Sequence, residues 1–489
     1  MFRYSILFLF ITFILICSCK HTAKESPVPV KPDNYPPAIS KIITTRCATA
    51  GCHNAASYQI SGGGLLLDTW EHLFDGGNSG AAIVPFSPEC SPLLYFTNSF
   101  EDLGPVPDGN MKMPLNSSPL TREEYLTLRN WVIQGAPDKS GQIAFSGNAD
   151  TRQKIYVAHQ GCDYVTVIDA EKNVIMRCVP VGKEVTIESA YSLKVAPSGL
   201  AYISFWASQY ILAMDTRTDS ITDAINIGYP NSNILFTPPT GNELLMTNLF
   251  SNSLLRLNTG SKQVAASYGS NSFVSPHGIA ANNSFDTFFV TEQYGNIVHK
   301  VAETGWTKKI SINGQPPSTS PGGPNPYNLI MSPDKSRYFV SCAGTNEVRV
   351  LDAYSDTLIA VIPVGLTPQE IAVSRTKPYL FVSCVDEPSS LPVFKGAVYI
   401  INYDTYEVVA TITDRYYMPH ALAVDDTHQK LFVFSRNIDP QGPVPHHNSA
   451  TCNGRNGYYS VYDFQNMQPA NNKRYEVTID PFAADARFK

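Results

Sequence analysis

Charged residues are scarce in this chain. Lysine, arginine, aspartate and glutamate make up 16% of its 489 residues, the formal net charge is −6, and there is no basic tract. A mildly acidic chain of this kind lacks the electrostatic footprint of a nucleic-acid-binding protein, so nucleic acid is excluded as a partner. Long apolar runs are also missing. The run from Ile6 to Ile16 is too short to span a bilayer, and no later segment is apolar for long enough to cross one.

The start of the chain predicts export instead. Arg3 is the one charge before the apolar run, as in a secretory signal peptide. The run ends in "ILICSCK", where the small Ser18 before Cys19 resembles the lipobox of bacterial lipoproteins. That resemblance implies that 1–18 are removed and that Cys19 is lipidated; an ordinary cleaved signal is the alternative. The Pro-rich residues 19–37 predict an extended tether. We therefore expect a chain anchored by lipid to a bacterial membrane, the outer one, and facing the periplasm or the cell surface.

Two cysteines and a histidine form the most informative motif, "RCATAGCHNAA". The haem-attachment signature is C-x-x-C-H, but here four residues separate Cys47 from Cys52. A haem site with a longer loop, a zinc site and a disulfide are the three interpretations. Zinc needs further Cys or His ligands at short spacing, and His72 and Cys90 are distant. A disulfide between the two cysteines leaves His53 and a downstream Met-Pro unexplained.

Helices are predicted on both sides of this motif. Isoleucines at helical spacing in "PAISKIITTRC" predict a short amphipathic helix before it. In "LTREEYLTLRNWVIQGAPD" a second helix is predicted, with Thr121 and Glu124 as a capping box and Gly135 as its end. The loop "GNMKMPLNSSPL" lies between them. This order resembles the small c-type cytochromes, and in particular the planctomycete-type cytochrome c domains, through "GLLLDTWEHLFDGG", the "MP…PLT" loop and the terminal "WVIQGAP".

The resemblance implies an all-α haem domain over 38–138. In it, Cys47 and Cys52 would hold one haem c by thioether bonds, with His53 as an axial iron ligand. Met113 is the expected second axial ligand, and Met111 is the alternative. Ligation by His and Met raises the reduction potential of a haem.

A repeat fills the rest of the chain. "KIYVAHQGCDYVTVIDAEKNVIMRCVPVG", "AYISFWASQYILAMDTRTDSITDAINIG" and "RYFVSCAGTNEVRVLDAYSDTLIAVIPVG" each contain three β-rich runs separated by polar turns. Seven such units are spaced roughly 42 to 51 residues apart, a period typical of propeller blades. A leading strand that follows a proline would give four strands per blade. The pattern resembles the YVTN family of seven-bladed propellers, so we expect a two-part chain: an all-α cytochrome c domain, then an all-β propeller over 143–489.

Histidines are the candidate functional residues of the propeller. His277 and His420 follow the entering proline of their blades, and His159 ends the second strand of the first blade. His446 and His447 lie in a long insertion of the seventh blade. One interpretation is a pocket over the channel that holds a second metal, a cofactor or an oxidisable substrate, with His277 and His420 as catalytic candidates. The other is that these residues bind water and link the blades.

Three functions follow from these patterns. The first is electron transfer by a tethered cytochrome whose propeller binds a redox partner protein or a small-molecule electron donor or acceptor. The second is a haem-dependent oxidoreductase that resembles the dihaem nitrite reductases in architecture, although those propellers have eight blades. The third is a surface-exposed binding protein.

A disulfide between Cys162 and Cys178, which share a blade, is an open alternative.

Overall fold

The protein is described by a computed structural model that covers residues 33–108, 111–229, 232–238, 241–269 and 272–487. The signal peptide expected over 1–18, the lipidated Cys19 and most of the tether lie outside the described residues. Among the helices that are described, none is both long and apolar enough to cross a membrane.

Antiparallel strands dominate the structure and form seven sheets, as the repeat predicts. The strands of the first half are β1 Lys154–His159, β2 Tyr164–Asp169, β3 Val174–Pro180, β4 Ala190–Val195, β5 Leu200–Phe205, β6 Tyr210–Asp215, β7 Ser220–Asn226, β8 Ser232–Phe236, β9 Glu243–Asn248, β10 Ser253–Asn258, β11 Gln263–Tyr268, β12 Pro276–Ala281, β13 Thr287–Glu292, β14 Ile297–Ala302 and β15 Thr307–Ser311. Those of the second half are β16 Pro326–Met331, β17 Arg337–Cys342, β18 Glu347–Asp352, β19 Leu358–Pro363, β20 Leu366–Val373, β21 Tyr379–Asp386, β22 Gly396–Asn402, β23 Glu407–Tyr416, β24 Pro419–Asp425, β25 Lys430–Ser435, β26 Gly457–Asp463, β27 Gln468–Pro469, β28 Tyr475–Val477 and β29 Pro481–Ala486.

Each sheet is one blade. Blades 2 to 6 are the consecutive groups β4–β7, β8–β11, β12–β15, β16–β19 and β20–β23. Blade 7 is β24–β27, with β28 added beside β26. Blade 1 has the order β29-β1-β2-β3, so its inner strand comes from the end of the chain. This pairing closes the ring by hydrogen bonds between the first and last parts of the propeller, and the sequence pattern did not predict it.

Apolar side chains fill the spaces between neighbouring blades. One core cluster, for example, joins Tyr156 and Val165 of blade 1 to Leu193 and Ile203 of blade 2. The inner and middle strands are therefore buried on both faces, whereas the outer strand β7 alternates between exposed and half-buried residues. This is why the inner runs of each repeat read as continuous hydrophobic stretches.

Lysines add a polar link between blades at three places. Lys154 of β1 donates to the backbone carbonyl of Thr216 at 2.8 Å and to Asp219 at 2.8 Å, both in the β6–β7 turn of blade 2. Lys300 of β14 donates in the same way to Ala353 and Asp356 in the corresponding turn of blade 5. Lys430 of β25 donates to Ala170 and Asn173 in that of blade 1. Each ammonium group thus satisfies carbonyls of a turn and fixes the position of the next blade.

The expectation of a separate all-α cytochrome domain over 38–138 is wrong. The N-terminal segment, residues 33–146, contains four short helices in long loops, and the described chain is otherwise nearly all β. The helices are α1 Pro37–Arg46, α2 Trp70–Leu73, α3 Pro92–Thr97 and α4 Arg122–Ile133. The predicted helices before and after the cysteine motif are α1 and α4, and Thr121 and Glu124 form the predicted capping box.

The physical reason is that most of this segment is loop, and part of that loop packs against the propeller. The helices do share a core of their own, in which Ile43, Leu128 and Val132 are fully buried. Val84, by contrast, belongs to the core cluster of blades 1 and 7, and the carbonyl of Ser79 accepts a hydrogen bond from the Glu476 amide of β28 at 2.9 Å. The loops are therefore shaped by the propeller on which they lie.

Candidate functional site

A cavity of about 530 Å³ lies between the N-terminal segment and blades 1 and 7. Its volume falls in the range of small-molecule and cofactor sites. The side formed by the N-terminal segment includes Cys47, Cys52, His53, Met113 and Pro114. The propeller side includes Thr166, Cys178, His446, His447 and Glu476. The cysteine motif and the predicted methionine, which are far apart in the chain, thus line the same cavity, whereas Met111 is not among its lining residues.

Helix α1 positions the cysteine motif. The Cys47 amide donates to the Ile43 carbonyl at 3.0 Å as the helix ends, and the His53 amide donates to the Cys47 carbonyl at 3.2 Å. The loop between the two cysteines is therefore closed by a hydrogen bond from the residue after Cys52 to Cys47. Gly51 has a φ of 80°, a conformation that favours glycine, and so allows this turn. Burial raises the pKa of the Cys47 thiol to about 12.

The ring of His53 is oriented by the backbone. Its Nδ1 atom lies 3.1 Å from the carbonyl oxygen of Leu65. A neutral imidazole that donates from Nδ1 keeps its lone pair on Nε2, and this is how metal-bound histidines are commonly held. The donor set therefore fits a haem iron: one oriented imidazole, two free thiols for thioether bonds and one thioether sulfur.

Met113 is held beside helix α3. Its amide donates to the carbonyl of Phe96, in helix α3, at 2.8 Å. The Phe96 ring lies 4.7 Å from the ring of His446 and 5.5 Å from that of His447, between centroids. The expected methionine ligand and the two propeller histidines therefore share one end of the cavity.

Glu476 organises that end. Its Oε2 atom lies 3.2 Å from Nδ1 of His447, and its Oε1 accepts a hydrogen bond from the His446 amide. Burial by itself would raise the pKa of Glu476, but His447 and the amide of His446 hold it below its usual value. Burial also lowers the pKa of His446. A carboxylate paired with Nδ1 of an imidazole is a recurring arrangement around metals and in proton transfer.

The other three propeller histidines lie elsewhere. His277 and His420 lie on the inner strands β12 and β24, where their Nδ1 atoms lie 2.8 Å from the carbonyl of Tyr327 and 2.7 Å from that of Phe482. His159 lies behind the cavity wall, with Nε2 2.8 Å from Oγ1 of Thr166. All three are buried, and burial lowers the pKa of His159 to about 3 and that of His277 to about 4. Of the five histidines, His446 and His447 line the cavity, whereas His159, His277 and His420 do not.

Metal ligands other than haem donors are not grouped in the part of the chain that the structure covers: no cluster of three or more His, Cys, Asp or Glu residues there could hold an ion. Sequence analysis overlooked Glu476 and Cys178 as cavity residues. Neither stands in a motif, and β28 falls outside the four-strand repeat, so only the packed structure brings them to the site.

No protein-family model matches the chain, and no curated protein matches it. Among solved structures, a functionally unknown protein from Desulfotomaculum acetoxidans is similar at a TM-score of 0.50 and 12% identity, covering 67% of this chain and 99% of that one. Kuenenia stuttgartiensis hydrazine synthase has a TM-score of 0.48 and 14% identity, covering 62% and 91%. A streptogramin B lyase has 0.46 and 12%, covering 61% and 87%. At these identities the likeness shows the propeller fold and nothing of the function.

Proposed function

We propose that this protein carries one covalently attached haem c in the cavity between the N-terminal segment and the propeller, and that it transfers electrons. The observation that carries the proposal is the convergence of Cys47, Cys52, His53 and Met113 on one cavity. When bound, a haem with one His and one Met ligand supplies reversible one-electron transfer at a raised potential.

The residues of the chain have separate roles in this proposal. Cys47 and Cys52 anchor the group by thioether bonds, and His53 binds iron through Nε2 while Leu65 holds the ring. Met113 would supply the second ligand, and the hydrogen bond from its amide to the Phe96 carbonyl fixes its backbone. Because a preorganised ligand loses little entropy on binding, these supports favour the coordinated state.

The propeller completes the site by forming its second wall. Thr166 and Glu476 are nearly buried there, so the propeller limits the access of water to the cavity. We infer that the surrounding face receives the redox partner protein or the small-molecule electron donor or acceptor. Export, lipidation at Cys19 and attachment to the outer membrane belong to the same proposal and rest on the N-terminal sequence.

The test is haem content after export with a cytochrome c maturation system. We expect a Soret band, a pyridine haemochrome spectrum of one haem per chain, and added porphyrin mass on the peptide 46–56. His53→Ala loses the native spectrum, whereas His72→Ala, a change to another histidine of the same segment that is paired with Asp68, keeps it. Correctly folded wild-type protein without colour or porphyrin mass would overturn the proposal.

A second candidate function is that of a haem-dependent oxidoreductase. The pair of His447 and Glu476 favours it, because the pair opens into the cavity and has the composition of a proton donor and acceptor. The channel residues His277 and His420 do not line this cavity. In this case the oxidised haem protein changes its spectrum when nitrite is added, and His447→Gln weakens that response at unchanged haem content. If the wild-type spectrum does not change with nitrite or with other small oxidants, the oxidoreductase function is refuted and electron transfer remains the proposed function.

A further inference from the structure

Two cysteines that the haem proposal does not use meet at the contact between the N-terminal segment and blade 1. Cys90 ends the 3-10 turn Pro88–Cys90, and Cys178 lies on strand β3. Both side chains line the same part of the cavity wall, where the segment meets the blade. Both also pack against the same core cluster of blades 1 and 7.

The backbones around the two thiols are fixed to each other as well. The Ser87 hydroxyl donates to the Cys178 carbonyl at 3.3 Å, and the Cys90 amide donates to the Ser87 carbonyl at 3.2 Å. Ser87 thus holds the turn and the strand together from one side. The two cysteines are held in register by contacts other than their own.

The same protein already contains a disulfide between distant parts of the chain, Cys162–Cys452. Structural disulfides of this kind form in oxidising compartments outside the cytosol, in agreement with the expected export. Two neighbouring cysteines in such a compartment, linked through Ser87, have both the position and the conditions for pairing. Cys90, Cys178, Cys342 and Cys384 are all free thiols in the structure, and the last two are fully buried.

We propose that Cys90 and Cys178 form a second disulfide, which joins the N-terminal segment covalently to blade 1. The oxidant is a protein disulfide of the thiol-oxidase class. A Cys90 thiolate attacks one sulfur of that disulfide and releases a thiolate; the Cys178 thiolate then attacks Cys90 Sγ and releases the second one. Two electrons pass to the oxidant, which ends as a dithiol, and the protons of the two cysteines are transferred to it.

The consequence is a fixed cavity. The segment that carries Cys47, Cys52 and His53 is tied to the blade that supplies Thr166, and the cavity between them keeps its width. This inference does not depend on the haem, because the bond joins two walls whatever lies between them.

Peptide mapping of the exported full-length protein tests the bond directly. The protein is denatured and alkylated without reductant, digested and analysed by mass spectrometry. We expect the peptides of Cys90 and Cys178 to be found as one linked species that separates on reduction. Cys342 and Cys384 are the internal controls and are alkylated in the same sample. Alkylated Cys90 and Cys178, or a link from either to Cys47 or Cys52, would overturn the proposal.

Limited proteolysis gives a second measurement. Trypsin cleavage at the exposed Lys139 falls between Cys90 and Cys178, whereas Cys162 and Cys452 both lie on its C-terminal side. On a denaturing gel without reductant, the cleaved wild-type protein runs as one species, and with reductant it runs as two. Cys90→Ser runs as two species in both cases. Wild-type fragments that separate without reductant would contradict the bond.

Discussion

Cys452 is bonded to Cys162, although 290 residues separate them. Cys162 lies in the β1–β2 loop of blade 1, and Cys452 lies in the long β25–β26 loop of blade 7 that carries His446 and His447. The bond therefore ties this long loop to blade 1, in addition to the contacts that His446 and His447 make with Glu476 of β28.

Loss of this disulfide is expected to destabilise the protein by about 2–5 kcal/mol, because the unfolded chain regains the freedom that the cross-link removes. Urea unfolding of Cys452→Ser, of Cys162→Ser and of the double variant measures the effect. Since each change breaks the same bond, the three variants should lose about the same free energy of unfolding. If the loss in the double variant equals the sum of the two single losses, the two thiols contribute separately and the prediction is wrong.

The prediction that Met113 is the second haem ligand is tested by the reduction potential, because haem content does not depend on this residue. Replacing Met113 by His exchanges a thioether for an imidazole, and we expect a reduction potential lower by on the order of 0.1 V. Met111→Leu is the matched control, because Met111 does not line the cavity. Redox titration followed by absorbance gives both values. If the reduction potential changes in Met111→Leu and not in Met113→His, then Met111 and not Met113 is the ligand.

The buried ion pair between blades 1 and 2 predicts a large effect of one substitution. Lys154 and Asp219 are 2% and 4% exposed, and Lys154→Met leaves the carboxylate buried without its cation. We expect a loss of about 3–5 kcal/mol in the free energy of unfolding. Lys300→Met should cost less, because Lys308 still pairs with Asp356 there. Equal losses in the two variants, measured by denaturant unfolding, would contradict this reasoning.

Glu370 makes stability depend on pH. Burial raises its pKa to about 7, while Lys194 and the hydrogen bond from Asn328 act in the opposite direction. Between its ordinary value near 4.5 and about pH 7, the unfolded chain releases this proton and the folded protein keeps it. The contribution of this group therefore falls as pH rises through that window.

Glu370→Gln should consequently be more stable than the wild-type protein at pH 8, by of order 1–3 kcal/mol, and similar to it at pH 4. Urea unfolding at both pH values is the measurement. Glu407→Gln, on an exposed position of β23, serves as the control and should not change the difference between the two pH values. If Glu370→Gln is more stable than the wild-type protein by the same free energy of unfolding at both pH values, the pH dependence does not come from Glu370.

Much of the propeller was predictable from residues alone. The seven repeats became seven blades, and β12, β16 and β24 begin at the expected prolines Pro276, Pro326 and Pro419. Helix α4 begins with the predicted capping box. These features are local, since they depend on alternation, turn residues and a side chain that bonds within one helical turn.

The errors concern contacts between distant residues. An all-α domain was inferred from the order of helices and motifs, but most of the segment is loop, and part of that loop packs against blades 1 and 7. Cys162 pairs with Cys452 and not with its blade neighbour Cys178. Closure of blade 1 by β29 was missed for the same reason, because a hydrogen-bonded ladder between the two ends of a repeat leaves no periodic signal.

The amino-acid sequence alone determined the blade number, the two longer helices and the capping box of α4, because periodicity and short motifs are properties of neighbouring residues. Only the tertiary structure decided that Met113 reaches the same cavity as His53, that His447 and Glu476 form its other wall, and that His277 and His420 do not. Those placements result from which buried surfaces pack together, and packing joins residues without regard to their separation along the chain.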